Sequence, residues 1–478
     1  MATGRLVGDS SQGGRAMGIG AQAASRLRQL RTAARRLTWG VADQGMSSIS
    51  NFVVNIYIAR TLGAAQYGAF ALAYVTYSFA LNASRGLATD PLMVRFSGTD
   101  LPTWRRAVAG CTGTATAVGL TAGSLVLAAA ALMHGPARLA FLALGLTLPG
   151  LLLQDSWRLA FFALGRGGQA FINDTIWVIF LLPALLLLRR SGHSDVFWFV
   201  LAWGASGVAA GAIGPLQSKV VPRITSAGAW VSRHRDLGPR YLAEGTANSA
   251  SAQLRNYGVG LILGLAAVGY VQAASTLVGP FMVVFFGMGL VTLPEAARIW
   301  RDAPRRLPSF CVLLSGALAL AGLAWGVILL VALPRGLGSW LLHSLWQPTY
   351  PLVLPITLVV MGGCVTAGAG TGLHALAAAK RSLRAMVISS ILAVCGSMAG
   401  AALDGAVGTM RGLAVSTWVG TVIFWWEFLT ALRKSDKAAE LDRFWRGRAL
   451  GRHGGSALPH LTPSEQVPPV QHRADPSG

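Results

Sequence analysis

Charge is what this sequence has least of. Only 12% of its 478 residues are charged, about half the share found in a soluble domain. Acids are the scarcer sign, 18 against 40 bases. So few charges cannot cover the surface of a soluble protein of this length. Cysteine is also sparse: Cys111, Cys311, Cys364 and Cys395 lie in apolar runs without CxxC spacing, which argues against a disulfide scaffold or a metal site. No Walker motif occurs. Gly165-Arg166-Gly167-Gly168 lacks the Lys-Ser/Thr that a phosphate loop requires, so the chain is not expected to hydrolyse ATP. No nucleophile–His–acid set is visible, and the eight histidines sit in loops, tails and span ends. A non-enzyme without a cofactor is expected. Strict polar–apolar alternation is missing, which excludes a membrane β-barrel. The net charge of +22 would suit nucleic acid, but the bases cluster in the tails and in short gaps between apolar runs. Membrane proteins place them there to fix orientation, so no nucleic-acid role is expected.

What the sequence has is hydrophobic length. It is 53% hydrophobic, with 58 glycines, and small residues let helices pack closely in lipid. A helix needs about 20 apolar residues to cross the bilayer core. Twelve such stretches are read at roughly 38–59, 67–90, 107–133, 139–164, 170–188, 196–215, 241–263, 268–293, 309–333, 350–376, 383–403 and 409–432. The expected fold class is an all-α integral membrane protein with about twelve transmembrane helices in two six-helix lobes. With both ends in the cytoplasm, the outer loops hold only Arg60, Arg138, Arg189, Arg190, Arg335 and Arg411, and the spans hold Arg85, Arg158 and Arg255. The Arg189-Arg190 pair is a local exception to the positive-inside rule.

These spans divide the chain into a basic N-terminal tail (1–37), a first lobe (38–215), a cytoplasmic linker (216–240), a second lobe (241–432) and a C-terminal tail (433–478). The arginine-rich start reads as a cytoplasmic tail rather than a signal or transit peptide, and Met17 is a second candidate start. Residues 437–450 read as an interfacial helix with Leu441, Phe444 and Trp445 on one side, followed by a disordered end.

A ten-residue phrase is written twice. Residues 86–95 read GLATDPLMVR and residues 289–298 read GLVTLPEAAR, inside a gapless alignment of 62–95 with 265–298. Each copy falls in the second span of its half, where the proline is expected to end the helix and the arginine to anchor it at the inner surface. Two six-span halves in tandem share one orientation. They form parallel repeats about an axis along the membrane normal, an architecture that transporters use for alternating access.

Ionisable residues within spans are functional hypotheses by default. Arg255 lies roughly 21 Å along span seven at about 1.5 Å per residue, past the midplane, and is the leading candidate to bind an anionic substrate. Glu244, Asn248, Ser251 and Arg255 share one face of that helix, as Asp43, Ser47, Asn51 and Asn55 do on span one. Each stripe lines a water-filled path or bonds neighbouring helices. Asp155 and Arg158 are spaced to pair along one helix, and Arg85 is placed to snorkel to the inner interface. Asp90, Asp174 and Glu295 near the inner boundary suit a gate, a cation site or plain ion pairing. The candidate substrate-binding set is Arg255, Asn51, Asn55, Asn248 and Arg85. The candidate coupling or gating set is Asp43, Asp155, Arg158 and Asp174, with no metal site.

Residues 51–79, NFVVNIYIARTLGAAQYGAFALAYVTYSF, carry Ala59, Arg60, Leu62, Gly63, Tyr67, Gly68, Phe70, Leu72 and Ala73 in an ARxLGxxxYGxFxLA phrase. With LLLQDSWRLAFFALGRGGQAFINDTIW (151–177), this resembles the polysaccharide-flippase branch of the multidrug/oligosaccharidyl-lipid/polysaccharide exporter superfamily. The resemblance is strongest over 38–180 and mainly architectural beyond 300. It implies transfer of polyprenyl-pyrophosphate-linked oligosaccharide from the inner to the outer leaflet of the cell inner membrane, through a cationic cavity. It also implies coupling to protons or sodium, and polysaccharide polymerase and glycosyltransferases as partners. Alternatives are a cation-coupled drug exporter of the same superfamily, which predicts an acidic cavity, a membrane-embedded glycosyltransferase or ligase, and a non-transporting scaffold.

Overall fold

The computed structural model describes residues 45–46 and 48–452, excluding the side chains of 240–241, 243–249, 286, 290 and 435–452. Among the described residues the regular structure is entirely helical, and seven helical stretches are long and apolar enough to cross a membrane. The chain is an all-α, multi-pass membrane protein. Two of those stretches are double. Pro304–Ala375 contains two long helices, and Ala379–Lys434 turns back at Asp404 and Gly405, where the backbone leaves helical geometry. One compact unit ends at Phe428 and a second starts at Leu429; the helix of the second is traced to Arg452.

The first half opens with α1 (48–61) and α2 (Ala64–Ser84). A π-helical turn, Arg85–Thr89, leads α2 into α3 (Asp90–Phe96) without a break. Pro91 therefore does not end this helix as its sequence suggests. Proline lacks an N–H and crowds the carbonyl four residues back, and the wider turn just before it absorbs that change of register. Cys111 donates its Sγ hydrogen to the Ala88 carbonyl inside the turn, at 3.3 Å. Pro294 is likewise carried within a helix that continues to Asp302. The remaining long helices of this half are α4 (Leu101–Ala131), α5 (Gly135–Ala163), α6 (Gly167–Arg190) and α7 (Val196–Ser218).

The segment after α7 is folded onto α4. It contains α8 (Ala227–Arg233). The Arg223 N–H donates to the Ala109 carbonyl at 2.9 Å, and buried Trp230 covers Gly110 and packs tilted against His234, 4.2 Å between ring centres. The second half comprises α9 (Gly238–Leu263), α10 (Leu265–Leu277), α11 (Gly279–Asp302), α12 (Leu307–Ala332), the short α13 (Gly338–Leu342), α14 (Trp346–Ala375) and α15 (Ala379–Arg452). Most packing is within a half: α4 on α5, α5 on α7, α12 on α14.

Across the halves, α2 packs on α10 and α9. The seam with α10 is built on absent side chains. A Cβ on Gly68 would stand 1.8 Å from the Leu265 carbonyl oxygen, and one on Gly269 would stand 2.3 Å from that of Ala64. Polar contacts flank the seam: the Tyr67 and Thr276 hydroxyls share a hydrogen bond at 3.2 Å, Thr76 and Tyr257 share another at 2.5 Å, and the Arg60 guanidinium lies 5.3 Å from the Trp340 ring centre. Replacing Gly68 or Gly269 by valine is expected to destabilise the protein by about 1–3 kcal/mol, the cost of overpacking a close interface. Thermal unfolding in detergent measures this, with Gly63→Ala as a control because its Cβ would meet nothing within 4 Å.

Candidate functional site

The site begins with a glycine stripe. Gly204, Gly207, Gly211 and Gly214 of α7 face Thr147, Leu151, Gln154 and Trp157 of α5 with no room for side chains. The two backbones approach closely, as small residues allow. This seats Gln154, Asp155 and Arg158 of α5 in the interior of the first half. There they meet Asp174 of α6 and Arg85 of the π turn around a cavity of about 270 Å³. Ser50, Asn51, Tyr74, Tyr77, Trp177 and Trp203 complete much of its wall.

Two ion pairs cross the cavity between helices. Arg85 donates Nε to Asp155 Oδ2 at 2.9 Å and Nη2 to Oδ1 at 2.7 Å, a bidentate arrangement that fixes both position and orientation. Arg158 Nε stands 3.3 Å from Asp174 Oδ2. In both pairs the arginine is the more exposed partner, 33% against 6% and 17% against 10% of the side chain. All four side chains line the cavity, and in each pair the arginine is the less enclosed member. Neutral amides brace the acids: Gln154 Nε2 donates to Asp174 Oδ1 at 2.9 Å and to Asn173 Oδ1 at 3.1 Å. Asn173 Nδ2 donates to the Ala210 carbonyl and to Gln217 Oε1. Trp203 supplies an aromatic wall, with Tyr77 edge-on at 5.0 Å and Trp177 at 5.8 Å.

Several sequence expectations change here. Asp155 and Arg158 find their partners on other helices rather than along α5, because the bidentate fork of Arg85 reaches Asp155 across the cavity. Arg85 accordingly turns inward and does not snorkel to the interface. Asn51 is exposed and lines the cavity. Asn55 is outside it: its amide donates to the Asn51 carbonyl at 2.9 Å, and its Oδ1 accepts from Tyr67 at 3.5 Å beside the seam. Arg255 is half-buried on α9, outside the cavity lining, with no ion-pair or hydrogen-bond partner among the described residues. Glu295 pairs with Arg298 one turn along its helix. Asp43 and the side chain of Asn248 lie outside the described residues. Sequence reading passed over Gln154, Asn173 and Gln217. Their signal was a pair of polar dyads, Gln154-Asp155 and Asn173-Asp174, each set in an apolar run.

Removing one partner of a buried ion pair costs about 3–5 kcal/mol, because the other charge is left uncompensated. Arg85→Gln is expected to destabilise the protein by that order. Arg85→Gln combined with Asp155→Asn is expected to recover most of the loss. A double-mutant cycle of thermal unfolding in detergent measures the coupling, and strictly additive effects would show that the pair contributes nothing.

A membrane-embedded helical fold with an internal polar cavity defines the class of protein. Solved structures place the fold further. An inward-facing multidrug resistance MATE family transporter of the MOP superfamily matches with a TM-score of 0.65 at 13% identity, covering 82% of this chain and 96% of the other. The lipid II flippase MurJ in an inward closed conformation matches with a TM-score of 0.59 at 12% identity, covering 84% and 90%. An outward-facing MATE family transporter of the same superfamily matches with a TM-score of 0.52 at 13% identity, covering 84% and 96%. The chain has the fold shared by these transporters. No protein-family model and no curated protein matches its sequence.

Proposed function

We propose that this protein moves a polyprenyl-pyrophosphate-linked oligosaccharide from the inner to the outer leaflet by alternating access between its two halves, 38–215 and 241–432. The carrying observation is the order of charge at the cavity. Arg85 and Arg158 line it with Asp155 and Asp174, and in each pair the arginine side chain is the more exposed. Arginine has five donors in a planar fork suited to phosphate, and Asp155 takes hydrogen bonds from only two of the three Arg85 nitrogens. A cavity of about 270 Å³ is below the roughly 300–1,000 Å³ of sites that enclose a drug-sized ligand. It suits the charged diphosphate of a large amphiphile better than a whole glycan. The polyprenyl tail would stay in lipid while the head group crosses in the shielded path, which lowers the desolvation cost. Arg255, half-buried and without a partner among the described residues, would give the anion a second contact on the other half.

On this reading both termini are cytoplasmic, the protein sits in the cell inner membrane, and enzymes that build and polymerise the glycan act before and after it. Asp155 and Asp174 are the candidate carboxylates for proton or sodium coupling. The same acids, with Tyr74, Tyr77, Trp177 and Trp203 around them, favour one rival: export of cationic aromatic compounds.

Purified protein in liposomes should transfer a fluorescent polyprenyl-pyrophosphate sugar between leaflets. Arg85→Gln/Asp155→Asn, which keeps the local charge balance, should slow transfer by about tenfold or more, since a hydrogen bond to a charged group contributes about 1.5–3 kcal/mol. Arg255→Gln should slow it to a similar extent. No transfer of any lipid-linked sugar, with uptake of cationic aromatic drugs instead, would replace this reading by the rival.

A further inference from the structure

A second cluster of buried charge lies in the other half, outside the cavity. Glu427 is almost fully enclosed, with 3% of its side chain exposed. Two arginines hold it. Arg381 Nη1 donates to Oε2 at 2.8 Å, while Arg384 donates Nε to Oε1 at 2.7 Å and also reaches that oxygen through Nη2. Among the described residues Glu427 is the only carboxylate that either arginine pairs with, so the cluster keeps an excess positive charge. Lys380 stands exposed beside it.

The helices that carry these residues are the two limbs of α15, folded back at Asp404 and Gly405. Their crossing is close. A Cβ on Gly400 would lie 2.0 Å from the Gly408 carbonyl oxygen, and one on Gly412 would lie 2.0 Å from that of Gly396. Arg384 is five residues from the first residue of α15, about 7.5 Å along the axis, which is head-group height for a spanning helix. Its side chain is 61% exposed although two of its nitrogens bond a buried acid.

Below Arg384 the same face of the limb is apolar and uncovered: Val387, Ile388 and Ile391 are exposed at helical spacing. On the neighbouring limb Trp426, the residue before Glu427, is 69% exposed, as aromatic residues at the edge of a bilayer are. A fixed cationic head above an aliphatic track, with an exposed tryptophan on the neighbouring limb, matches an anionic phospholipid lying along the protein.

We propose that Arg381 and Arg384, set by Glu427, form a binding site for the phosphate head group of an anionic phospholipid whose acyl chain lies along Val387, Ile388 and Ile391. The acid makes the site specific, since it holds two flexible side chains in one orientation and fixes where their remaining donors point. Basic pockets between spanning helices recur as head-group sites for acidic lipids. The site depends only on the chain lying in a bilayer, so it stands or falls apart from the flippase reading.

The test is lipid retention by the full-length protein. Protein from nanodiscs of equal parts phosphatidylglycerol and phosphatidylcholine would be released and its bound lipids counted by native mass spectrometry. The wild type is expected to retain phosphatidylglycerol in preference, and Arg384→Gln to reduce that preference about fivefold, the effect of one basic residue near the surface. Arg381 still neutralises Glu427 in that variant, so its melting temperature in detergent should change little. Glu427→Gln keeps both arginine charges but frees the side chains from their fixed orientation, and should weaken the preference in a folded protein. Equal retention of both lipids by the wild type, or an unchanged preference in Arg384→Gln, would overturn the site. An unchanged preference in a folded Glu427→Gln would overturn the orienting role of the acid.

Discussion

A carboxylate buried at membrane depth must be neutralised from inside the protein, because the surrounding lipid offers nothing to pair with it. Asp155 imposes that constraint on the first half. Its partner, Arg85, comes from a helix far away in sequence and sits in a π-helical turn. The turn accommodates Pro91 and belongs to the strand of chain that also meets α4, through Cys111, and α9. One ion pair therefore fixes the register of α2 against α5. The glycine stripe of α7 fixes the depth of α5 itself. Loss of either would move Gln154 and Arg158, and with them the bracing of Asp174.

The two halves are joined on a different principle. Where Ala64 and Gly68 meet Leu265 and Gly269, the contact is backbone against backbone, and its strength comes from van der Waals fit rather than charge. Among the described residues no buried ion pair spans this seam, so opening it would leave no ion uncompensated, although the Tyr67–Thr276 and Thr76–Tyr257 hydrogen bonds would have to part. The buried charge pairs lie inside a half, and the neutral, small-residue contact lies between halves. That division suits bodies that stay rigid while the surface between them rearranges.

How far this was legible in the sequence follows from the same physics. Helix existence was readable because hydropathy is local, and the stretches expected at 107–133 and 139–164 correspond to Leu101–Ala131 and Gly135–Ala163. Helix ends were less readable: Pro91 marks a boundary by the local rule, yet a turn of different pitch carries the helix on to Phe96. Arg85, Asp155, Arg158 and Asp174 stood out singly, since a charge in an apolar run is conspicuous. Their pairing was hidden, because the spacing along α5 suggested Asp155 with Arg158, while the true partners are set by helix packing. Gln154, Asn173 and Gln217 were hidden for another reason: a neutral amide barely disturbs hydropathy, and only Gln154 and Asn173 have a neighbouring acid to reveal them. Arg255 stood out as a charge in an apolar run, while its surroundings were not readable.

Scarcity of acid gains a meaning from the buried set. Among the described residues the buried carboxylates are Asp155, Asp174 and Glu427, and each is held by arginine. In all of these pairs the arginine side chain is the more exposed member, from 17% against 10% at Arg158 to 61% against 3% at Arg384. Guanidinium suits the outer position because it is weakly hydrated and keeps donors free after one bidentate bond. A buried acid in this chain is thus an anchor that orients an arginine.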